Sequence, residues 1–465
     1  MGRIEKITSV AIRGWNSLHL THLRMKKIIT ILICGVLTQC TFANTLEVCP
    51  ACAVSSITEA IALAQPCDSI FVNGGVYKEG NIVVDKELTF IGINWPVIDG
   101  ENDTEIFTVT ANQFSIEGFQ IQNAGSSYIE DRAGIRIKKG RDFTIRHNKF
   151  YDAVFAIYLQ NAADGIVDGN TVVSHALNQA NSGNAIHMWY CENIRVTNNF
   201  VTGNRDGIYL EFVNNSTIAN NISQGNLRYG LHFMFSNHDN YFGNTFRENG
   251  AGVAVMYSKF IDMRHNLFEQ NWGPASYGLL LKDINDSQIY LNEFRENTIG
   301  VFIETSNRLD ITQNYFVQNG WAMRMSGGCQ FTNITKNNFI SNSFDLAVTS
   351  AGTTNSFNGN YWNDYSGYDL DRDGVGDVPH RPMKLFSYVV SRTPEAMVLL
   401  RSLFIDILNF SEKVSPIFTP EAVIDNQPLM MKCQFMPDKF GATTGSGDLR
   451  TAGATIIPED IPAEL

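Results

Sequence analysis

Two methionines, two histidines and a glutamate carry the side chains best suited to soft-metal chemistry in this 465-residue chain. In residues 229–236, Leu231 and Phe233 alternate with His232 and Met234, so one pair faces a core and the other faces away from it. Met256, Glu211 and His187 fall on the same outward face when neighbouring segments are stacked in register. Thioether and imidazole groups together suit Cu(I). The competing reading is an exposed apolar patch for a protein partner. A second group is Asp369, Asp371, Asp373 and Asp377 with Gly374, which matches positions 1, 3, 5, 9 and 6 of a calcium loop. Position 12 is His380 where an EF-hand has glutamate, so a metal-free acidic turn stays open. Carboxylates for glycosidic chemistry are less well arranged. Glu211 and Glu304 lie four repeats apart, roughly 19 Å at sheet spacing, too far to cooperate. The turn acids Asp131, Asp164 and Asp206 leave a lyase or hydrolase unsupported without excluding it.

What must position these groups is a repeat. The chain has 45 asparagines, 34 of them between Asn148 and Asn360. An Asn-x-apolar triplet recurs, ending in Phe150, Val172, Phe200, Ile222, Phe246 and onward to Trp362, mostly 22 or 23 residues apart. A small residue opening an apolar strand keeps step with it, as in Gly134-Ile135, Ala185-Ile186, Gly207-Ile208, Gly230-Leu231 and Gly252-Val253. Both series stretch at residues 174–184 and 272–277, so insertions there leave the repeat intact. A unit of about 22 residues with short strands is one turn of a right-handed parallel β-helix, which buries a continuous core only by stacking. The class is all-β. Asparagine suits the left-handed turns and can form amide ladders, so most asparagines are architectural.

The rest of the chain divides around that coil. Residues 1–43 read as a secretory signal starting at Met25, with Lys26 and Lys27 before an apolar stretch at 28–37 and Thr41-Phe42-Ala43 as cleavage site. A lipoprotein reading at Leu37-Thr38-Gln39-Cys40 is weaker, since glutamine is large for that position. No run is long enough to span a bilayer. Removing 1–43 leaves 29 basic and 46 acidic residues, a net charge of −17, which excludes a nucleic-acid binder. Residues 44–67 form a cap with Cys49, Cys52 and Cys67, for which a disulfide and a metal site are both open. The cap includes a short capping helix behind the capping box Ser56-Ile57-Thr58-Glu59. The coil fills 68–362, with early strands at 70–72, 82–84 and 88–91. The acidic loop fills 363–384. A C-terminal helical segment occupies 385–428, with a helix over 394–409 opened by Thr393-Pro394-Glu395. That helix is apolar nearly all round, which fits either covering the last turn or docking on a membrane protein. Residues 429–465 read as a disordered tail, although Met430, Met431, Cys433 and Met436 collect soft sulfur near its start.

Over roughly residues 57–419 the chain resembles the NosD family of periplasmic maturation proteins for nitrous oxide reductase. The resemblance rests on Val97-Ile98-Asp99-Gly100, Arg132-Ala133-Gly134-Ile135, Arg205-Asp206-Gly207-Ile208-Tyr209 and the block Arg228-Tyr229-Gly230-Leu231-His232-Phe233-Met234-Phe235-Ser236. Gly252-Val253-Ala254-Val255-Met256, Asn360-Tyr361-Trp362 and Asp373-Gly374-Val375-Gly376-Asp377-Val378-Pro379 follow in order. The resemblance implies a non-enzymatic accessory role in assembling the reductase's copper–sulfide centre during denitrification. It implies an ABC transporter permease and ATPase as partners, nitrous oxide reductase as client, a copper chaperone lipoprotein in the same pathway, and membrane contact through the permease. It transfers no catalytic residues. The cysteine cap and the tail after Pro428 depart from the family pattern. The alternative from another class is a secreted carbohydrate lyase or epimerase, or a carbohydrate-binding β-helix protein.

Overall fold

The computed structural model describes residues 43–434 apart from 128, 181, 350–353, 401 and 415–422. All but the last residue of the expected signal, and the tail beyond 434, lie outside the described residues. From residue 45 the chain visits three parallel sheets in fixed rotation, and each interior strand pairs with the strands one turn before and one turn after it. The first sheet has 14 strands, from Thr45–Val48 to Ser356–Asn358; the second has 13, from Val76–Tyr77 to Tyr361–Trp362. The third has 12 and runs from Ile82–Val84 to Phe344–Val348. This is a parallel β-solenoid of about 14 turns. The early strands appear as Ser69–Asn73, Ile82–Val84 and Thr89–Ile93.

Most strands of the first two sheets are three residues long, with a buried apolar centre between two half-exposed ends. Strands this short cannot hold register alone. Asparagine side chains supply what is missing. Asn148, Asn170, Asn199, Asn221, Asn244, Asn266, Asn292, Asn314, Asn337 and Asn360 form one buried column. From Asn170 onward each Oδ1 accepts both the backbone N–H and the Nδ2–H of the asparagine one turn earlier, as at Asn221 and Asn244 (2.9 and 3.0 Å). Beside this column Phe246, Phe268, Phe294, Phe316, Phe339 and Trp362 stack ring on ring at 4.2–5.6 Å.

The triplet marker is one residue out of frame at two turns. At Asn198-Asn199-Phe200 and Asn220-Asn221-Ile222 the second asparagine joins the column, so Val201 and Ser223 point inward and Phe200 and Ile222 do not. Tandem asparagines permit both frames. The first of each pair takes the left-handed turn position, with φ of 54° and 56°.

Both ends are covered. Helix α1 (Ile57–Leu63) buries Ile57, Ala60 and Ile61, and Ser56 caps it by accepting the Glu59 N–H at 3.1 Å. The Glu59 carboxylate accepts from Ser55 rather than from Ser56 itself. Cys49 and Cys52 form a disulfide with each other. At the other end, the single helix expected over 394–409 is broken. Helix α2 (Leu385–Arg392) comes first, then a 3₁₀ turn (Pro394–Leu399), then α3 (Leu403–Val414). The Ser402 carbonyl accepts the Ile405 and Asp406 amides and so restarts the helix in a new direction. These helices lie along the outward side of the third sheet, where Phe386, Val390 and Ile405 meet Ile299, Trp321 and Phe344. The last turn is closed by residues 423–434 instead. Within them Asp425 meets the asparagine column, Leu429 bridges Tyr361, and Cys433 pairs through its backbone with Asn338. Residues 429–434 are therefore held against the coil.

Candidate functional site on the outward face of the third sheet

Strands of the third sheet are longer, typically six residues, because each must cross from one corner of the coil to the next. Their outward side chains form registered columns. One reads Arg136, Tyr158, His187, Tyr209, His232, Ala254; the next reads Trp189, Glu211, Met234, Met256, Lys282. Glu211, Met234 and Met256 are thus successive lateral neighbours, and His232 stands two residues before Met234 on the same face. Met188 points inward and is fully buried.

His187 is not part of that group. Tyr209 separates it from His232, two turns or roughly 9–10 Å away. Its ring stacks on Tyr158 at 4.5 Å, its Nδ1 lies 3.3 Å from the Asn184 amide, and its Nε2 is buried without a partner. Burial holds His187 neutral, with a pKa of about 3.

His232 faces away from the core yet is only 4% exposed, because Tyr209 and Tyr229 close over it at 4.8 and 4.7 Å. Neither of its ring nitrogens has a hydrogen-bond partner. Nδ1 lies 3.9 Å from Asp206 Oδ2, beyond hydrogen-bond reach. Burial lowers its pKa and so favours the neutral ring, the form that ligates metals. Met234 and Met256 are half-buried beside it. The Tyr209 hydroxyl lies 3.4 Å from Met234 Sδ and 3.4 Å from Glu211 Oε2. Two adjacent thioethers and an imidazole with orphaned nitrogens fit a soft cation by donor type.

Behind this face sits an ion pair that the residue pattern did not single out as a structural element. Asp206 is the fully buried first residue of strand Asp206–Glu211, not a turn acid. Arg228 grips both of its oxygens, with Nε–Oδ1 at 2.8 Å and a second bond from Nη2 to Oδ2, and the Tyr229 N–H adds a third. Burial alone would raise this carboxyl, but the Arg228 bonds bring it down to about 2. A sequence signal did exist. The residue before the small marker is apolar in most turns (Ala133, Phe155, Ala251, Ile299, Trp321) but is Asn184, Asp206 and Tyr229 in three successive ones.

At the corner where these strands end, Tyr190, Phe212, Phe235 and Tyr257 stack on one another at 4.5–5.1 Å. All four have φ between 51° and 55°, where Asn161 and Asp283 stand in flanking turns. Bulky residues are uncommon in that region, and mutual stacking offsets the strain. With Trp189, Met234 and Met256 alongside, this corner is the apolar rim of the face.

The acidic loop lies far along the chain. Carboxylate oxygens of Asp369, Asp371 and Asp373 come within 4.8 Å of one another, and Gly374 takes φ of 89°. Asp377 turns aside to accept the Leu370 N–H. Among the described residues no other group of three or more His, Cys, Asp or Glu residues converges at this spacing. Asp131 and Asp206 precede or open strands three turns apart, and Asp164 lies in the turn between Phe155–Gln160 and Ile166–Asp168, bonded to Arg141.

Comparison with known proteins places this architecture. The family described as periplasmic copper-binding protein (NosD) matches residues 173–367. A probable ABC transporter binding protein NosD from Pseudomonas aeruginosa is 27% identical over 406 residues, covering 76% of this chain and 86% of that protein. Its namesake from Stutzerimonas stutzeri is 27% identical over 111 residues, 23% of this chain and 26% of that one. Among solved structures, the catalytic unit of a GH87 alpha-1,3-glucanase from Streptomyces thermodiastaticus superimposes with a TM-score of 0.52 at 13% identity, covering 64% of this chain and 65% of that one. That last likeness is one of fold.

Proposed function

The chain belongs to the NosD family, and from that premise we propose that it is a periplasmic accessory protein in assembly of the copper–sulfide centre of nitrous oxide reductase. It works with an ABC transporter as scaffold or handover protein and catalyses no reaction of its own. The observation that carries this reading is the lateral pair Met234 and Met256 beside His232, whose two nitrogens are buried without partners. These three residues would hold Cu(I), which supplies no chemistry here beyond being cargo. Glu211 would stand beside the cation without ligating it, and His187 would brace Tyr209 rather than ligate.

Partner contact is assigned to α3 and the turn before it. Leu403, Phe404, Ile407 and Phe410 are 73, 60, 58 and 69% exposed, while Ile405 faces the coil. Such a patch suits a hydrophobic partner, here the permease. No helix among the described residues is long and apolar enough to cross a membrane itself. Nitrous oxide reductase, the ATPase and a copper chaperone lipoprotein complete the set of partners. A structural calcium at Asp369, Asp371 and Asp373 is part of the same proposal.

Deleting the gene in its host, then measuring nitrous oxide reduction and reductase copper, tests the role directly. Both should fall and both should return on complementation; normal values in the deletion strain would end the proposal. Activity of the purified protein on uronic-acid polymers would instead favour the carbohydrate reading.

A further inference from the structure

Tyr209 holds one proton between two acceptors of different kinds. Its hydroxyl lies 3.4 Å from the Met234 thioether and 3.4 Å from the Glu211 carboxylate. Its ring has little freedom, because His187 and His232 flank it edge-on at 4.8 Å each, one turn to either side. The hydroxyl can therefore swing only between the two acceptors, without the ring leaving its slot. A sulfur lone pair that accepts this O–H is not free to bind a cation, and the thioether is the weaker acceptor of the two.

Resting on the reading of Met234 and Met256 as the soft-metal pair, we propose that Tyr209 is a gate on that pair. In the metal-free protein its hydroxyl is shared between Met234 Sδ and Glu211, and the share on sulfur competes with the cation. When a cation takes the sulfur, the hydroxyl turns to Glu211, whose carboxylate receives it. The proton never leaves tyrosine, and only hydrogen bonds and metal–ligand bonds change. Release is the reverse: the hydroxyl returns to sulfur as the metal departs. Tyr209 is thus a positioning residue that keeps affinity moderate and exchange fast, and Glu211 acts as its second acceptor and not as a ligand.

The test is Cu(I) titration of the purified protein against a competing chelator, with the near-ultraviolet difference spectrum of tyrosine as a second readout. Tyr209→Phe should bind Cu(I) roughly two- to threefold more tightly, as expected for removing one weak, shared competing hydrogen bond. It should also lose a tyrosine difference signal that the wild type gives on metal addition. Glu211→Ala should weaken binding in the wild-type background, and that effect should shrink markedly in the Tyr209→Phe background. If Met234→Leu weakens binding while Tyr209→Phe leaves affinity and spectrum unchanged, the gate is overturned and the copper pair stands. A Glu211→Ala effect of equal size in both backgrounds also overturns it, because Glu211 then acts on the metal directly. If neither methionine variant changes Cu(I) binding, the pair itself is wrong and the gate falls with it.

Discussion

An imidazole that is 4% exposed with two unpartnered nitrogens is a costly thing to fold, since each buried polar atom forgoes water. His232 is kept in that state by two tyrosines rather than by the coil's own core. Replacing Met234 and Met256 together with leucine should preserve volume and leave the unfolding midpoint nearly unchanged. Cu(I) affinity, measured by chelator competition, should drop more than about 100-fold, beyond the range usual for losing an outer-shell partner. The Asp206–Arg228 pair behaves differently. Arg228→Ala would leave a buried carboxylate with one backbone donor and should destabilise the protein by about 2–3 kcal/mol in urea unfolding. The pH dependence has a definite sign. The folded pKa of Asp206, about 2, lies below the ordinary 3.8, so its contribution is full above about pH 4 and is lost as pH falls through 2. In Arg228→Ala the carboxyl should titrate at higher pH, removing that acid-side loss. Met234, Met256 and Glu211 were legible as one row from alternation alone. His187 and His232 looked equally available, because sequence alternation reports which face a side chain takes and not what packs over it.

Among the elements, the asparagine column shows how a three-residue strand keeps its place. Asn292→Ala would orphan the N–H and Nδ2–H of Asn266 and should cost about 2–4 kcal/mol. Because each turn contacts only its neighbours, the same substitution should split the unfolding transition or lower its slope, as read by denaturant titration. The repeat was readable because its period is carried by two independent markers. Its frame slipped at Asn198-Asn199 and Asn220-Asn221, where both residues of a tandem satisfy the pattern and only φ distinguishes them. The sequence predicts a helical segment here but not its break at Ser402, since a nearly all-apolar run gives no periodic signal for where direction must change. Serine in place of Phe404, Ile407 and Phe410 should leave the coil's melting unaltered. It should abolish co-purification with the permease, which a pull-down from detergent extract would measure.

For the molecule as a whole, closure is divided between two devices. The helices along the third sheet protect a side wall, and residues 423–434 protect the end. The acidic loop joins them, with the Gly374 carbonyl receiving the Met430 N–H. If calcium binds there, tenfold excess over its dissociation constant should stabilise the protein by about 1.4 kcal/mol. Asp371→Ala should erase that gain in a thermal scan run with and without calcium. The end segment escaped sequence reading because its partners in the coil are 63 to 118 residues away and its composition resembles a tail.

Asp425 gives the coil a direction. Every asparagine in the column passes its amide protons forward to the next, and the last, Asn360, passes them to the carboxylate of Asp425, an acceptor rather than another amide. Gly359 and Trp362 deliver theirs to the same carboxylate. Since a polypeptide emerges amino terminus first, that receiver arrives only after all the turns it terminates have been made. Until then the nascent coil is an open template able to accept another strand, from itself or from a neighbour. The protein therefore has a vulnerable interval built into its biogenesis, whose length is set by the sixty-odd residues between the last turn and its stop.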